Sequence, residues 1–212
     1  MIRIKFPPMK RSLVAILRGI RPEETAAIVD GLIGAGFTAI EIPLNSPDPF
    51  RSIEIAVKRA PKDVLVGAGT VLSVDDVDRL DSVGGRLMVS PNVDGQVIAQ
   101  AASHGMVTMP GVFTATEALA ACAAGASALK FFPASVLGPS GINGIQAVLP
   151  KDVPVGAVGG VSNGDFAAYA KVGVKTFGLG SSLYKAGMAA DEVTRRGAAA
   201  VAAFDALAEA GL

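Results

Sequence analysis

The sequence of 212 residues predicts an α/β protein that folds as a single-domain (β/α)8 TIM barrel over residues 1–212, with residues 1–11 as a short N-terminal extension. The main observation is a series of short apolar, β-prone runs that recur at about the length of one strand plus one helix. The runs are residues 13–18, 39–44, 65–71, 87–92, 106–112, 128–133, 153–159 and 176–183. Eight evenly spaced units favour a closed barrel, and a doubly wound open sheet is the structural alternative.

The second observation is that the segments between the runs begin and end like helices. Pro22, followed by Glu23 and Glu24, is typical of a first helical turn, where acids meet the positive end of the helix dipole. Ser73 and Thr114 each stand three residues before an acid, as a capping box requires. Glycines precede several strands at positions where a helix end needs positive φ, namely Gly36, Gly85, Gly105, Gly125 and Gly173. The pattern predicts a repeated helix–glycine–strand unit.

Composition excludes several classes of function. Nineteen basic residues balance nineteen acidic ones, which removes the broad electrostatic field that nucleic-acid or anionic-membrane binding requires. The lone Cys122 cannot form an internal disulfide, and the lone His104 cannot build a histidine-rich metal site. We therefore expect a cytoplasmic protein with no metal and no nucleic-acid partner.

The sequence also predicts neither a targeting segment nor a membrane crossing. The apolar run Leu13–Leu17 follows basic residues but is too short for the hydrophobic region of a signal peptide. Residues 95–116 and 131–150 carry no Asp, Glu, Lys or Arg, yet glycines, prolines and polar residues interrupt both segments.

Polar residues that interrupt apolar strands are the candidates for chemistry, because barrel enzymes place their active residues at the carboxyl ends of the strands. Arg18, Glu41, Thr70 and Lys130 are such residues. Lys130 lies among apolar neighbours, and desolvation lowers a lysine pKa because it penalises the charged form. A neutral lysine is a nucleophile that can form a Schiff base with a carbonyl. The alternative is a rim lysine whose amine reaches water.

Glu41 strengthens the catalytic interpretation. Strand alternation places Ala39, Glu41 and Pro43 on one face, so the carboxylate and Lys130 are expected to point into the same barrel. Such a pair suits general acid–base and nucleophilic catalysis. The alternative is a buried structural salt bridge, which is a weak stabilising device.

Glycine-rich segments complete the candidate site. Gly159 and Gly160 follow the seventh run, and Gly180 and Ser181 lie in the eighth, where many barrels bind a substrate phosphate through backbone N–H groups. Residues 67–70, with sequence GAGT, could supply an N–H and a hydroxyl to a carboxylate or carbonyl oxygen. The alternative for this segment is a strand that passes close to its neighbour.

Seven strings carry a family resemblance. They are ILRG (16–19), EIPLNSP (41–47), GAGTVL (67–72), SPN (90–92), ALKFFP (128–133), AVGGV (157–161) and GLGSSLY (178–184). In this order the sequence resembles the 2-dehydro-3-deoxy-phosphogluconate/phosphogalactonate aldolases, class I aldolases on a TIM barrel, from about residue 12 to residue 187. Gluconate-type members carry a TLRT-like stretch with an arginine after the glutamate, whereas IPLNSP here is similar to galactonate-type members.

The resemblance implies a mechanism and a set of roles. Lys130 would form the Schiff base with the substrate ketone and Glu41 would move protons, giving pyruvate and D-glyceraldehyde 3-phosphate. Arg18 and Thr70 would hold the substrate carboxylate. The other implied substrate-binding residues are Pro91 and, for the phosphate, Gly159, Gly160, Gly180 and Ser181. The family needs no cofactor and no metal, and its members commonly form homotrimers.

Other functions stay open at this point. A gluconate-type or dual-specificity aldolase is the close alternative within the family. A phosphosugar isomerase or epimerase would use Glu41 as a base and Lys130 only as an electrostatic clamp. A third possibility is a catalytically silent binding protein, which would tolerate Glu41→Gln in every assay.

Overall fold

The computed structural model describes residues 2–212, whose strands form one wholly parallel sheet. The strands are β1 (Leu13–Ile16), β2 (Ala39–Pro43), β3 (Leu65–Gly69), β4 (Leu87–Val89), β5 (Val107–Met109), β6 (Gly111–Val112), β7 (Leu129–Phe131), β8 (Val155–Val158) and β9 (Thr176–Leu179). Their spatial order is β5-β4-β3-β2-β1-β9-β8-β7-β6. Each of the eight predicted runs contains one or two of these strands, which confirms the predicted α/β barrel.

The two ends of this order meet at Pro110, so the sheet closes on itself. The segments β5 and β6 occupy one barrel position and are divided by Pro110, which has no N–H to donate to a ladder. The next strand nevertheless pairs along this whole position, because Ala128 N donates to Thr108 O and Lys130 N donates to Pro110 O. A doubly wound open sheet would leave two free edges here, and that alternative is wrong.

Helices follow the strands on the outside of the barrel. They are α1 (Pro22–Ala35), α2 (Pro49–Arg59), α3 (Val74–Ser82), α4 (Gly95–Ser103), α5 (Ala115–Ala123), α6 (Ala134–Gln146), α7 (Phe166–Ala170) and α8 (Ala190–Glu209), with a 3-10 turn at Asn163–Asp165. The predicted starts are confirmed at Pro22, at Ser73, which accepts from Asp76 N, and at Thr114, which forms a capping box with Glu117. No helix among residues 2–212 is long and apolar enough to cross a membrane.

Two sequence predictions about local structure need correction. The residue of positive φ after α3 is Gly84, not Gly85, because the helix ends one residue earlier than expected and Gly85 packs instead against Leu80. The strands are also shorter than the apolar runs. Arg18 and Thr70 therefore lie just beyond β1 and β3, in the turns at the barrel mouth rather than on the strands.

The predicted alternation along β2 is confirmed by the packing of its residues. Ile40 and Ile42 pack in the large apolar layer between the sheet and the helices, whereas Ala39 packs with Val14 in a smaller cluster inside the barrel. Glu41 shares the inward face with Ala39 because side chains alternate along a strand. The inner cluster fills the amino-terminal end of the barrel and leaves the carboxyl end for a site.

The N-terminal segment packs beneath this inner cluster. Ile4, Phe6 and Met9 contact it from outside the sheet. Arg3 donates to the side chain and the backbone oxygen of Asp152 at 2.5 and 2.7 Å. Residues 2–11 therefore cover the end of the barrel opposite the candidate site.

Candidate active site

A cavity of about 360 Å³ opens at the carboxyl ends of the strands. Every site residue expected from the sequence lines it, namely Arg18, Glu41, Thr70, Pro91, Lys130, Gly159, Gly160, Gly180 and Ser181. Parallel strands all end at this face, so residues that lie far apart in the chain meet here. Glycines in the surrounding strands leave the space open: a Cβ on Gly178, for example, would overlap Val158.

Glu41 and Lys130 enter the cavity from opposite sides of the barrel, because β2 and β7 are separated by β1, β9 and β8. Both side chains are buried, with 3% of Glu41 and 6% of Lys130 exposed. Within residues 2–212, Glu41 Oε2 has no hydrogen-bond partner, and the two groups form no ion pair. The alternative interpretation of a buried structural salt bridge is therefore wrong. A buried carboxylate without a partner is costly, which is typical of a functional site rather than of a stabilising one.

Burial brings the pKa values of Glu41 and Lys130 close together. Desolvation raises the pKa of Glu41 to about 7, against the opposing effects of Lys130 and Arg18. Desolvation lowers the pKa of Lys130 to about 8, and the nearby Glu41 carboxylate limits that decrease. Near neutral pH the carboxyl group therefore has both protonation states accessible, and a fraction of the lysine is a neutral amine.

Glycines in β3 explain how Glu41 fits. A Cβ on Gly69 would overlap both carboxylate oxygens of Glu41, so only glycine leaves room for this side chain. A Cβ on Gly67 would instead overlap the backbone of Leu87 in the adjacent strand β4. The GAG stretch thus serves both purposes: close strand approach at Gly67 and space for the carboxylate at Gly69.

Arg18 is held at the cavity edge by the loop after β2. Its Nη1 donates to Asn45 Oδ1 at 3.3 Å, and the neighbouring Gly19 N donates to Ser46 Oγ at 2.9 Å. Asn45 and Ser46 belong to the EIPLNSP string described in the sequence analysis. The loop therefore orients the guanidinium toward the cavity, where it is available to an anionic group.

Thr70 holds a strained backbone at the barrel mouth, just after β3, which is separated from β1 only by β2. Its φ is 57°, in the left-handed region that a β-branched residue rarely adopts. Such strain persists only where the surrounding structure enforces it, and it clusters at functional sites. The conformation places Thr70 in the cavity lining beside Glu41.

The glycine loops form the side of the cavity near β8 and β9. Gly159 and Gly160 have φ values of 89° and 73°. A Cβ on Gly160 would also overlap the Ser135 side chain. Glycine at these positions exposes backbone amides at the surface of the cavity, as a phosphate-binding loop requires.

The sequence analysis did not single out Phe132, Tyr184 and Lys185, which also line the cavity. Phe132 packs beside Lys130, with Nζ 4.8 Å from the ring centroid. Tyr184 is 3% exposed, and within residues 2–212 its hydroxyl has no hydrogen-bond partner. Lys185 contributes a cation next to the second glycine loop. Their place in the sequence could have indicated them. Phe132 and Tyr184 lie within the ALKFFP and GLGSSLY strings, and Lys185 directly follows the second string.

The fold and the polar cavity at its mouth define a TIM-barrel enzyme. The chain belongs to the KDPG and KHG aldolase family, because the sequence model described as "Aldolase: KDPG and KHG aldolase" matches residues 8–196. Members of this family are carbon–carbon lyases.

Individual relatives agree with this assignment. The chain is 67% identical over 207 residues to a probable 2-dehydro-3-deoxy-6-phosphogalactonate aldolase of Rhizobium meliloti strain 1021, covering 98% of each chain. It is 47% identical over 195 residues to 2-dehydro-3-deoxy-6-phosphogalactonate aldolase of Escherichia coli K12, covering 92% of this chain and 95% of the relative. A solved structure described as native KDPGal superposes with a TM-score of 0.94 at 45% identity, over 97% of this chain and 99% of the other.

Proposed function

We propose that the protein is a class I aldolase that cleaves 2-dehydro-3-deoxy-6-phospho-D-galactonate to pyruvate and D-glyceraldehyde 3-phosphate. The single observation that carries this proposal is the pairing of a buried lysine and a buried, unpartnered carboxylate in one cavity. Burial brings both pKa values close to neutrality, so Lys130 has a neutral amine available as nucleophile and Glu41 exchanges protons readily.

The first stage joins the substrate to Lys130. The neutral Nζ attacks the C2 ketone, and the ketone oxygen becomes the hydroxyl of a carbinolamine. Glu41 in its acid form protonates that hydroxyl, which leaves as water and gives a protonated imine. The pKa of Glu41 near 7 makes its acid form available at neutral pH.

The second stage breaks the carbon–carbon bond. The Glu41 carboxylate takes the proton of the C4 hydroxyl, the C3–C4 bond breaks, and its electron pair moves through C3 toward the imine nitrogen. The products are an enamine on Lys130 and the aldehyde of D-glyceraldehyde 3-phosphate. Glu41 then returns its proton to C3, and water hydrolyses the imine to release pyruvate and the free lysine.

The two ends of the substrate meet different parts of the cavity. Arg18 and Thr70 bind the C1 carboxylate, since a guanidinium and a hydroxyl both stabilise that group. The backbone at Gly159, Gly160 and Gly180 binds the C6 phosphate together with Ser181, and Pro91 lies against the substrate. No step in this sequence requires a cofactor or a metal ion.

The galactonate epimer is favoured by the loop after β2. Residues 43–46 stand where gluconate-type members carry a TLRT-like stretch with an arginine, and the loop here instead contacts Arg18 and Gly19 of the neighbouring turn. The test is to compare kcat/KM on 2-dehydro-3-deoxy-6-phosphogalactonate with kcat/KM on its C4 epimer. We expect faster turnover of the galactonate. A strong preference for the gluconate would overturn the choice of substrate while leaving the aldolase mechanism intact.

We also propose a homotrimer. The family resemblance implies this assembly, and the surface near α6 supports it. Residues 131–150 contain no charged side chain, yet Val136 and Val148 are 72% and 59% exposed. Depletion of charge around exposed apolar residues is typical of the centre of a protein–protein interface. Sedimentation equilibrium should give three times the chain mass, and a smaller mass for Val136→Asp. A wild-type monomer would contradict the proposal.

Domain organisation and location complete the proposal. We propose one domain over residues 1–212 with residues 1–11 as an extension, supported by the single sheet and by the contacts of Ile4, Phe6 and Met9. A cytoplasmic location is supported by the unpaired Cys122, since disulfides are a feature of proteins in oxidising compartments. A single cooperative unfolding transition would support one domain, and two separate transitions would contradict it.

A further inference from the structure

Lys185 is a cation of the cavity that the aldolase steps leave unused. It lies on the segment after β9, lines the cavity with Gly160 and Ser181, and is exposed to solvent. Arg195 and Arg196 on α8 both pair with Glu192, and neither lines the cavity. Lys185 takes part in none of the ion pairs formed among residues 2–212.

The phosphate end of the cavity needs such a cation. A phosphate monoester carries a charge of about −1.5 to −2 at neutral pH. Backbone N–H groups and the Ser181 hydroxyl donate hydrogen bonds but bring no net charge. The other lining cations, Arg18 and Lys130, are assigned to the carboxylate and to the ketone at the opposite end of the substrate.

We propose that the Lys185 ammonium binds the phosphate of the substrate and makes the enzyme select phosphorylated over unphosphorylated sugar acids. This inference rests on the proposed function, because that function supplies a phosphate at this end of the cavity. A lysine acts on phosphate as a flexible point charge and tolerates exposure to water. Its contribution is one charge-assisted contact, formed equally with the bound substrate and with the transition state.

The test separates phosphate binding from imine chemistry by the choice of ligand. Glycerol 3-phosphate has no carbonyl, so calorimetry with it measures phosphate binding alone. In the synthetic direction, pyruvate is combined with D-glyceraldehyde 3-phosphate or with D-glyceraldehyde. The variants are Lys185→Met, Lys185→Arg and, as a matched control, Lys62→Met, an exposed lysine outside the cavity.

For Lys185→Met we expect KM for D-glyceraldehyde 3-phosphate to rise about tenfold and binding of glycerol 3-phosphate to weaken by a similar factor, with kcat little changed. Reaction with D-glyceraldehyde and borohydride trapping of pyruvate should stay within twofold of wild type. Lys185→Arg should retain most of the affinity, and Lys62→Met all of it.

Two results would overturn the inference. One is unchanged binding of glycerol 3-phosphate by Lys185→Met. The other is an equal loss with both aldehydes, which would indicate a structural effect. Failure of the wild-type protein to trap pyruvate would instead contradict the aldolase mechanism, and calorimetry with glycerol 3-phosphate would still decide whether Lys185 binds phosphate.

Discussion

Gly69 and Glu41 lie so close together that a Cβ on the glycine would overlap the carboxylate. The two residues belong to adjacent strands, β3 and β2, and Glu41 pairs in register with Gly67 two residues earlier. The absence of a side chain at position 69 thus gives the buried carboxylate its place. This relationship links a feature of the strand sequence directly to the position of the proposed proton-transfer group.

Substituting Gly69→Ala should therefore damage activity more than stability. The added methyl group displaces the Glu41 carboxylate, and we expect kcat to fall by about 10²-fold or more, since small misplacements of a reacting group have effects of this size. The control is Gly34→Ala in α1, where a Cβ meets nothing within 4 Å. That variant should keep full activity and gain about 0.5 kcal/mol in unfolding free energy. Normal turnover by Gly69→Ala would contradict the assigned position of Glu41.

Replacing Glu41 by glutamine keeps the side-chain volume and removes the titrating group. General acid–base catalysis by a positioned side chain contributes typically 10²–10⁴-fold, so kcat should fall by about that factor. Unfolding free energy at pH 8 should stay the same or rise, because the variant no longer buries an unpartnered charge. Full turnover by Glu41→Gln would contradict the assignment of Glu41 as the proton-transfer group.

Replacing Thr70 by glycine should increase stability but weaken substrate binding. Thr70→Gly removes the strain of a threonine at φ 57° and should gain about 1 kcal/mol in unfolding free energy. The same change deletes the hydroxyl, so KM for pyruvate should increase severalfold. Thr70→Ser keeps the hydroxyl but is not β-branched, so its KM should match wild type and its stability should lie between those of wild type and Thr70→Gly. Equal KM values for all three proteins would remove Thr70 from the carboxylate site.

The two buried groups should make stability depend on pH in opposite directions. Glu41 has a folded pKa of about 7, raised from an ordinary value of 4.5, so the folded state binds more protons in that interval and stability falls as pH rises through it. Lys130 has a folded pKa of about 8, lowered from 10.5, so its contribution to stability increases between those values. Chemical denaturation across pH should show both slopes. The decrease in stability between pH 4.5 and about 7 should diminish in Glu41→Gln. The increase between pH of about 8 and 10.5 should diminish in Lys130→Met. Unchanged slopes would contradict the assigned burial of the two groups.

Much of the site could be predicted from the sequence because its signals are local. A charged residue inside an apolar strand run identifies Glu41 and Lys130, and two-residue alternation fixes the face that each occupies. The family strings added Pro91, for which the residue pattern alone carried no signal. Strand ends were less predictable: apolar residues continue past β1 and β3, so hydropathy does not show that Arg18 and Thr70 lie in turns.

Other features depend on three-dimensional contacts that no local pattern encodes. Lys185 lies on an irregular segment after β9, and an exposed lysine in a loop is unremarkable until the cavity is known. The proline itself marks where the strand at the fifth barrel position is interrupted. The backbone hydrogen bonds that close the sheet on either side of Pro110 have no such signal in the sequence. The absence of an ion pair between Glu41 and Lys130 likewise depends on barrel geometry rather than on either residue's neighbours.

The central claim is that Lys130 forms a Schiff base, and borohydride reduction in the presence of pyruvate tests it most directly. Intact mass and peptide mapping should show one reduced pyruvate adduct per chain, located on Lys130 and absent from Lys130→Met. No adduct on folded wild-type protein, or an adduct on a different lysine, would contradict the claim. The absence of any adduct would favour a phosphosugar isomerase or epimerase in which Lys130 acts only through its charge.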